Sequence, residues 1–403
     1  MTTSTTAAIA ARRWSARASA IFVVCVILLA GCAGATGNPA AGPQASVVGT
    51  TPSRNGTVPV GTSFPPADKC HPGTASLREA GCRLDVLVGG AVSPTVLDDD
   101  AARAVIAREL SSVTPENELK WTVVQPARGQ FDFAGADRLV DFASANGIGV
   151  KGHTLVWDQA AGNGIPPWVA GINDPVELDQ VLAAHINTVM RRYAGRITRW
   201  DVVNEPLVSV GADRNRGHFA QVLGPRYIAR AFELARAADP HAKLYLNEHS
   251  AEASPARADA LVALVTELVN QGVPIDGVGL QTHLFTGNPP EPGVIDGLVR
   301  RLRVLGLDVA ITELDVPLPA GLDAGAATDA ALNRQAAIYA QIVGECLAAG
   351  CREITMWGVD DAHTWFDGFL KRTDTRPLLL DARLQPKPAY QAVLATLTAA
   401  PPN

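Results

Sequence analysis

From Leu84 onward the chain alternates short apolar runs rich in Val, Ile and Leu with longer amphipathic stretches. The runs are Leu84–Val88, Ser111–Lys120, Ile148–Trp157, Thr198–Glu205, Lys243–Asn247, Val278–Leu284, Val309–Asp315 and Ile354–Asp360. Short continuous apolar runs between turn signals read as strands buried on both faces, as parallel strands are. The stretches between them carry helix boundaries. Pro225–Ala238 follows Gly224 and stops at Asp239-Pro240, and Arg257–Asn270 stops at Gln271-Gly272; Gly and Pro end helices because neither continues the ladder. Strand and helix in alternation give βαβ units, and eight of them match an α/β chain closed into a single (β/α)8 TIM barrel. An open doubly wound sheet is disfavoured, because Gly89-Gly90-Ala91 lacks the G-x-G-x-x-G spacing of a phosphate loop after the first strand.

The first 69 residues follow neither pattern. Residues 1–31 carry Arg12, Arg13 and Arg17, no acid, and then the apolar run Ala20–Ala30, which is too short to span a bilayer and reads as a signal peptide. The run closes in Leu29-Ala30-Gly31-Cys32, which resembles a bacterial lipobox with Cys32 as the lipidated residue. Residues 32–69 are small, polar and broken by Pro39, Pro43, Pro52, Pro59, Pro65 and Pro66, the composition of a disordered tether. The expected order is therefore signal peptide 1–31, linker 32–69 and catalytic domain 70–400. The product is exported, held outward on the cell membrane by lipid or secreted.

Charge changes little of this. Lys and Arg number 34 against 40 Asp and Glu, and loss of the three Arg of the signal takes the net charge from -6 to -9. No basic surplus exists to neutralise phosphates, so nucleic acid is excluded as a partner. Of six Cys, Cys25 leaves with the signal and Cys32 takes lipid, leaving Cys70, Cys82, Cys346 and Cys351. In an oxidising compartment these pair, and the local pairs 70–82 and 346–351 are favoured among three connectivities. A metal site is disfavoured, because neither spacing is a C-x2-C ligand pair.

Chemistry gathers at the strand ends. The last seven runs finish in Glu116-Asn117, His153, Asn204-Glu205, Asn247-Glu248, Gln281 with His283, Glu313 with Asp315, and Asp360-Asp361. In a barrel these ends converge on one face, the face of catalytic loops. Glu205 closes the fourth strand and Glu313 the seventh, across the mouth from one another. Facing carboxylates are what glycosidic bond cleavage requires, one to protonate the leaving oxygen and one to attack or stabilise the anomeric carbon. Trp121, Trp157, Trp168, Trp357 and Trp365 lie at or just past strand ends, where indole faces suit sugar rings.

The segments Thr114-Pro115-Glu116-Asn117-Glu118-Leu119-Lys120-Trp121, Gly152-His153-Thr154-Leu155-Val156-Trp157, Trp200-Asp201-Val202-Val203-Asn204-Glu205, Gly279-Leu280-Gln281-Thr282-His283-Leu284, Ile311-Thr312-Glu313-Leu314-Asp315 and Trp357-Gly358-Val359-Asp360-Asp361 resemble glycoside hydrolase family 10, the endo-1,4-β-xylanases. The resemblance runs from Leu84 to Tyr390, in order and one motif per strand. It implies a retaining xylanase without cofactor, acting as a monomer on a β-1,4-linked polysaccharide or oligosaccharide. Glu313 would be the nucleophile and Glu205 the acid and then the base. Asn204 would bond the substrate 2-hydroxyl, and His283 would bridge Glu313 to Asp315 in one tautomer. Glu116, Asn117, Lys120, His153, Trp157 and Gln281 would bind hydroxyls, with Trp357 and Trp365 walling the site. Cys346 and Cys351 resemble a family disulfide.

Three departures are visible. Asp158-Gln159-Ala160 stands where the family has His-Ser-Gln, so its substrate-binding Gln is Gln159 shifted by one or is absent. Asn247-Glu248-His249 replaces Asn-Asp-Tyr, and Phe366 stands where Arg is common. They leave open a glycosidase of the same fold acting on another β-linked glycan. A non-catalytic glycan-binding lipoprotein predicts that one carboxylate is missing, and both are present. A metal-dependent barrel hydrolase usually needs an H-x-H on the first strand, and Leu84–Ala91 has no His.

Overall fold

The computed structural model describes residues 75–401 apart from 160–163, 209–210, 212, 215, 285–288 and 323–325. The expected signal peptide and linker, with Cys32 and Cys70, lie outside the described residues. Eight strands follow one another: β1 (Leu87–Val92), β2 (Ser112–Pro115), β3 (Gly149–Trp157), β4 (Arg199–Asn204), β5 (Lys243–Glu248), β6 (Gly277–Leu280), β7 (Asp308–Leu314) and β8 (Glu353–Met356). They close in sequence order into a barrel, each strand parallel to the next and β8 parallel to β1. Helices between them pack outside, so the strands are buried nearly throughout.

Where strand limits differ from the apolar runs, backbone chemistry explains it. β1 takes in Gly89 and Gly90, because the barrel wall is tight there: a Cβ on Gly89 would stand 2.5 Å from Thr355 Oγ1 of β8. β2 ends at Pro115 rather than Lys120, since Pro brings no amide proton to a ladder, and Lys120 N then closes a turn on Asn117 O at 3.0 Å. β6 stops at Leu280 and β8 at Met356, before positive φ at Thr282 (60°) and Gly358 (148°). These turns lift the polar residues out of the ladder into the mouth.

The helix Pro255–Asn270 begins two residues before the expected Arg257. Ser254 Oγ accepts from Arg257 N at 3.3 Å and Pro255 sits in the first turn, so cap and Pro start the helix together. Its other end is at Gln271, before Gly272 with φ 74°. Tyr227–Ala238 ends as expected, before Asp239.

The barrel floor is polar and paired. Lys151 Nζ lies 3.1 Å from Asp201 Oδ1 and over the Tyr245 ring at 4.5 Å, and Arg199 approaches Glu353 at 3.6 Å. Buried charges of this kind persist only when paired. Trp200 lies fully buried against the backbone of Gly152, where a Cβ would meet its ring at 2.2 Å. The Cys346–Cys351 disulfide forms as expected, tying the end of helix Ala326–Ala349 to the segment before β8. Cys82 is also disulfide-bonded, its expected partner lying outside the described residues.

Candidate active site

Glu313 stands at the C-terminal end of β7, almost wholly buried. Oε1 accepts from Asn247 Nδ2 at 2.6 Å and Oε2 from His283 Nε2 at 3.0 Å. Burial alone would push this carboxyl up; the His283 hydrogen bond, the charges of His153 and His283 and the Asn247 amide outweigh it and hold it at about 2. Donors aimed at a carboxylate favour its ionised form, and here they win against desolvation.

His283 lies between two carboxylates. Its Nδ1 lies 2.8 Å from Asp315 Oδ1 while Nε2 faces Glu313. With both acceptors ionised both ring nitrogens donate and the ring is an imidazolium; burial raises the Asp315 carboxyl, and the His283 charge and hydrogen bond act against that rise. Burial opposes that charge, but Asp315 and Glu313 raise the group to about 10. Asp315 Oδ2 accepts from Trp365 Nε1 at 2.8 Å, which fixes the wall indole in the same network.

Glu205 follows β4 with φ 53°. That left-handed residue redirects the chain, and Glu205 N is held by Asn247 O at 2.8 Å. Oε2 accepts from Trp157 Nε1 and from Gln159 Nε2, each at 2.9 Å, and Oε1 from Gln281 Nε2 at 3.1 Å. All three of these donors are neutral. Gln281 Nε2 also reaches Asn204 Oδ1 at 3.2 Å, and Asn247 Nδ2 reaches the same oxygen at 2.9 Å. Three amides, Gln281, Asn204 and Asn247, therefore join Glu205 to Glu313. With its oxygen taking two donors, Asn204 has only its NH2 to offer the cleft.

On the β2, β3 and β8 side lies a polar shelf. Lys120 Nζ bonds Asn117 Oδ1 at 2.9 Å and sits 5.4 Å from the Trp157 ring centre and 6.0 Å from that of Trp357. Burial lowers its proton affinity while Glu313, Glu116 and Glu205 restore part of it. Glu116 is shifted upward by burial, against the pull of Lys120 and Asn117. His153 Nδ1 lies 3.0 Å from Asp201 Oδ2, so the Lys151–Asp201 pair of the barrel floor orients this ring, which meets Trp357 edge-on. Trp365 packs beside His283 at 4.9 Å between centroids.

The β5 side is built differently. Glu248, fully buried, accepts from Leu207 N at 3.0 Å and His249 N at 2.9 Å, and pairs with Arg257 at 3.2 Å. Burial raises its carboxyl, as does the charge of Glu205. Arg257 also donates to Val208 O and Gly211 O, both at 2.7 Å, to His249 O at 2.9 Å and to Ser250 O at 3.2 Å. One guanidinium thus ties the segment after β4 to the segment after β5.

The structure brings together Glu116, Asn117, Lys120, His153, Trp157, Asn204, Glu205, Gln281, His283, Glu313, Asp315, Trp357 and Trp365. It does not bring all five Trp to the cleft. Trp121 is 1% exposed and stacks on the buried His185 at 3.7 Å, and Trp168 packs edge-on to it with Nε1 on Gln125 O at 3.2 Å. Both are packing residues: the chain past β2 carries Trp121 into the core, and Trp168, on the helix Pro167–Ala170 after β3, packs against its edge. His185 is a core residue: burial drives its proton affinity down to about 3 and Nδ1 meets Gln125 Oε1 at 2.9 Å.

Sequence reasoning passed over Asn247 as a site residue, though its position at a strand end, shared with Asn204 and Gln281, was the available signal. It left Gln159 open, and the bond to Glu205 settles where that amide goes. Asp158 turns its carboxylate to the backbone of the helix after β4, accepting from Phe219 N at 3.0 Å and Ala220 N at 3.1 Å.

Residues 76–396 match the glycosyl hydrolase family 10 profile. Over 330 residues the chain is 37% identical to endo-1,4-beta-xylanase 3 of Hypocrea jecorina, covering 79% of this chain and 87% of the relative. It is 38% identical over 314 residues to endo-1,4-beta-xylanase A of Fusarium oxysporum, covering 75% and 93%. Among solved structures it resembles xylanase 10B of Thermotoga petrophila in complex with xylobiose, with TM-score 0.75, 35% identity and coverage of 81% and 98%.

Proposed function

The chain belongs to glycosyl hydrolase family 10 and is a glycosidase of xylan, and from that premise we propose a retaining double displacement with Glu313 as nucleophile and Glu205 as acid and then base. Glu313, ionised against Asn247 and the His283 imidazolium, attacks the anomeric carbon as the bond to the leaving oxygen breaks. Glu205 delivers its proton to that oxygen. The sugar is left as an ester of Glu313, whose charge is gone. Glu205, now ionised, draws a proton from water, which attacks the same carbon and frees Glu313 with its charge restored. Retention requires the two carboxyl groups about 5 to 5.5 Å apart.

The observation that carries this reading is the unequal dress of the two carboxylates, one facing an imidazolium and an amide, the other an indole and two amides. Different surroundings are how one site keeps an acid beside a base. Asn204 offers its NH2 to the 2-hydroxyl of the sugar under attack, and Lys120, Asn117, Glu116 and His153 bind hydroxyls further along the non-reducing side. Trp357 and Trp365 wall the reacting sugar.

The test is xylan hydrolysis by residues 69–403, with product configuration followed by NMR. Release of reducing sugar with the β-anomer formed first is expected. First release of the α-anomer overturns the double displacement, and turnover of mixed-linkage glucan, cellulose or arabinan in place of xylan overturns the substrate.

The N-terminal residues extend the proposal. Arg12, Arg13 and Arg17, the run Ala20–Ala30 and Cys32 support export and a lipid on Cys32, with residues 32–69 as the tether of an outward-facing enzyme acting as a monomer. Radiolabelled palmitate incorporated by the full chain and lost in Cys32→Ala is expected; equal labelling of both overturns it.

A further inference from the structure

Gln159 stands just past the end of β3, and its backbone is held from several directions. Its N–H donates to Trp157 O at 2.8 Å, and its own carbonyl accepts from Ile165 N at 2.9 Å. Gly164 lies so close to that carbonyl that a Cβ there would stand 2.3 Å from Gln159 O. One residue earlier, the two carboxylate oxygens of Asp158 hold the helix His218–Val222 through Phe219 N and Ala220 N. The amide side chain of Gln159 therefore leaves from an anchored base. It ends on Glu205.

Two donors meet there on one oxygen. Glu205 Oε2 accepts from Gln159 Nε2 and from Trp157 Nε1, each at 2.9 Å, whereas Oε1 faces Gln281 Nε2 at 3.1 Å. A carboxylate oxygen carries two lone pairs, and two N–H donors at this distance use both. The indole N–H donates only, so a proton on Oε2 has to displace a hydrogen bond before it can sit there.

We propose that Gln159 is a positioning residue of the acid and base: together with Trp157 it closes Oε2 to the proton, so that Glu205 carries, delivers and recovers its proton on Oε1. The proposal rests on the retaining reading above. In the first step the proton on Oε1 passes to the leaving oxygen as the bond from that oxygen to the anomeric carbon breaks. In the second, a proton of the attacking water passes to Oε1 as the water oxygen bonds to the same carbon and the ester to Glu313 breaks. One proton leaves Oε1 and one returns. Without the Gln159 amide, Oε2 keeps the indole alone, and the carboxyl is free to turn or to hold its proton on the wrong oxygen. Proton transfer then suffers in both steps while the sugar is bound as before. An amide that bonded a sugar hydroxyl instead, as the family's substrate-binding Gln does, would weaken every substrate that places a sugar on it.

The experiment measures kcat and KM for wild type, Gln159→Met and Gln159→Ala on xylotetraose and on 4-nitrophenyl β-xylobioside, with melting temperatures as the check on folding. Met keeps the length of the side chain and loses the donor; Ala loses both. On xylotetraose, whose leaving group needs the proton, kcat/KM is expected to fall about five- to fiftyfold in both variants. On the aryl glycoside kcat/KM reports a first step that needs no proton, and it is expected to stay within about twofold of wild type. There kcat and KM are expected to fall together, because the second step still needs Glu205 to take a proton from water. Losses of kcat/KM on the two substrates that agree within about threefold, or no loss on xylotetraose in either folded variant, overturn the proposal. A wild type inactive on xylotetraose and xylan overturns the functional reading, and the proposal with it.

Discussion

Asn247 Nδ2 lies 2.6 Å from Glu313 Oε1, and the same nitrogen meets Asn204 Oδ1 at 2.9 Å, so both of its hydrogens are committed. Its oxygen accepts from Thr312 Oγ1 at 2.7 Å. An amide with all its groups engaged cannot flip. Asn247→Ala removes a hydrogen bond to a charged group, worth about 1.5–3 kcal/mol. A fall in kcat/KM on xylan of about ten- to a hundredfold is expected, with a lowered melting temperature, since Asn204, Glu313 and Thr312 each lose a buried partner. Undiminished kcat/KM would show that His283 alone suffices.

Glu313→Ala is expected to abolish turnover of every substrate, because no covalent intermediate forms. Glu205→Ala removes general acid help, typically 10²- to 10⁴-fold, but should spare the first step for 4-nitrophenyl β-xylobioside, whose leaving group needs no proton. A burst of nitrophenol followed by slow turnover is the expected trace. Equal losses in both variants on both substrates would reverse or void the two roles.

His283 is raised from 6.5 to about 10 by its two carboxylates against the opposition of burial. The stability it contributes is therefore complete below pH 6.5 and lost as pH rises through 10. Glu313, held at about 2 instead of 4.5, contributes stability above pH 4.5 that is lost as pH falls toward 2. Urea midpoints of wild type and His283→Gln should converge between pH 6.5 and 10. In the variant, the acid limb on the aryl glycoside should climb toward 4.5. Parallel midpoint curves would mean that the ring is neutral in the folded enzyme.

Gly152→Ala forces a Cβ to within 2.2 Å of the Trp200 ring. Both partners are walls of a closed barrel and neither is the free end of a flexible chain, so overpacking should cost about 1–3 kcal/mol. Denaturant midpoints measure this directly. A stability equal to wild type would mean that Trp200 has room to move.

The barrel and its strand order were legible because eight apolar runs alternate with helical stretches, and the last seven of those runs end in polar residues. Glu205, Glu313, Asn204, Gln281 and His283 could be read off the ends of β4, β6 and β7 for the same reason. Trp121 and Trp168 could not be sorted from the cleft Trp, because proximity to a strand end does not say whether the chain then turns in or out. Pro115 held the clue for Trp121. The charge on His283 was hidden too, since it depends on two carboxylates meeting one ring from separate positions. What Gly89 and Gly152 are for is shown only by the approach of Thr355 and Trp200 across the barrel.

Arg257 reaches four carbonyls drawn from the segments after β4 and β5, and a fifth acceptor, Glu248, at the end of β5 itself. One side chain thus couples the two segments, so local opening that frees Val208 or Gly211 also takes a donor from His249 and Ser250.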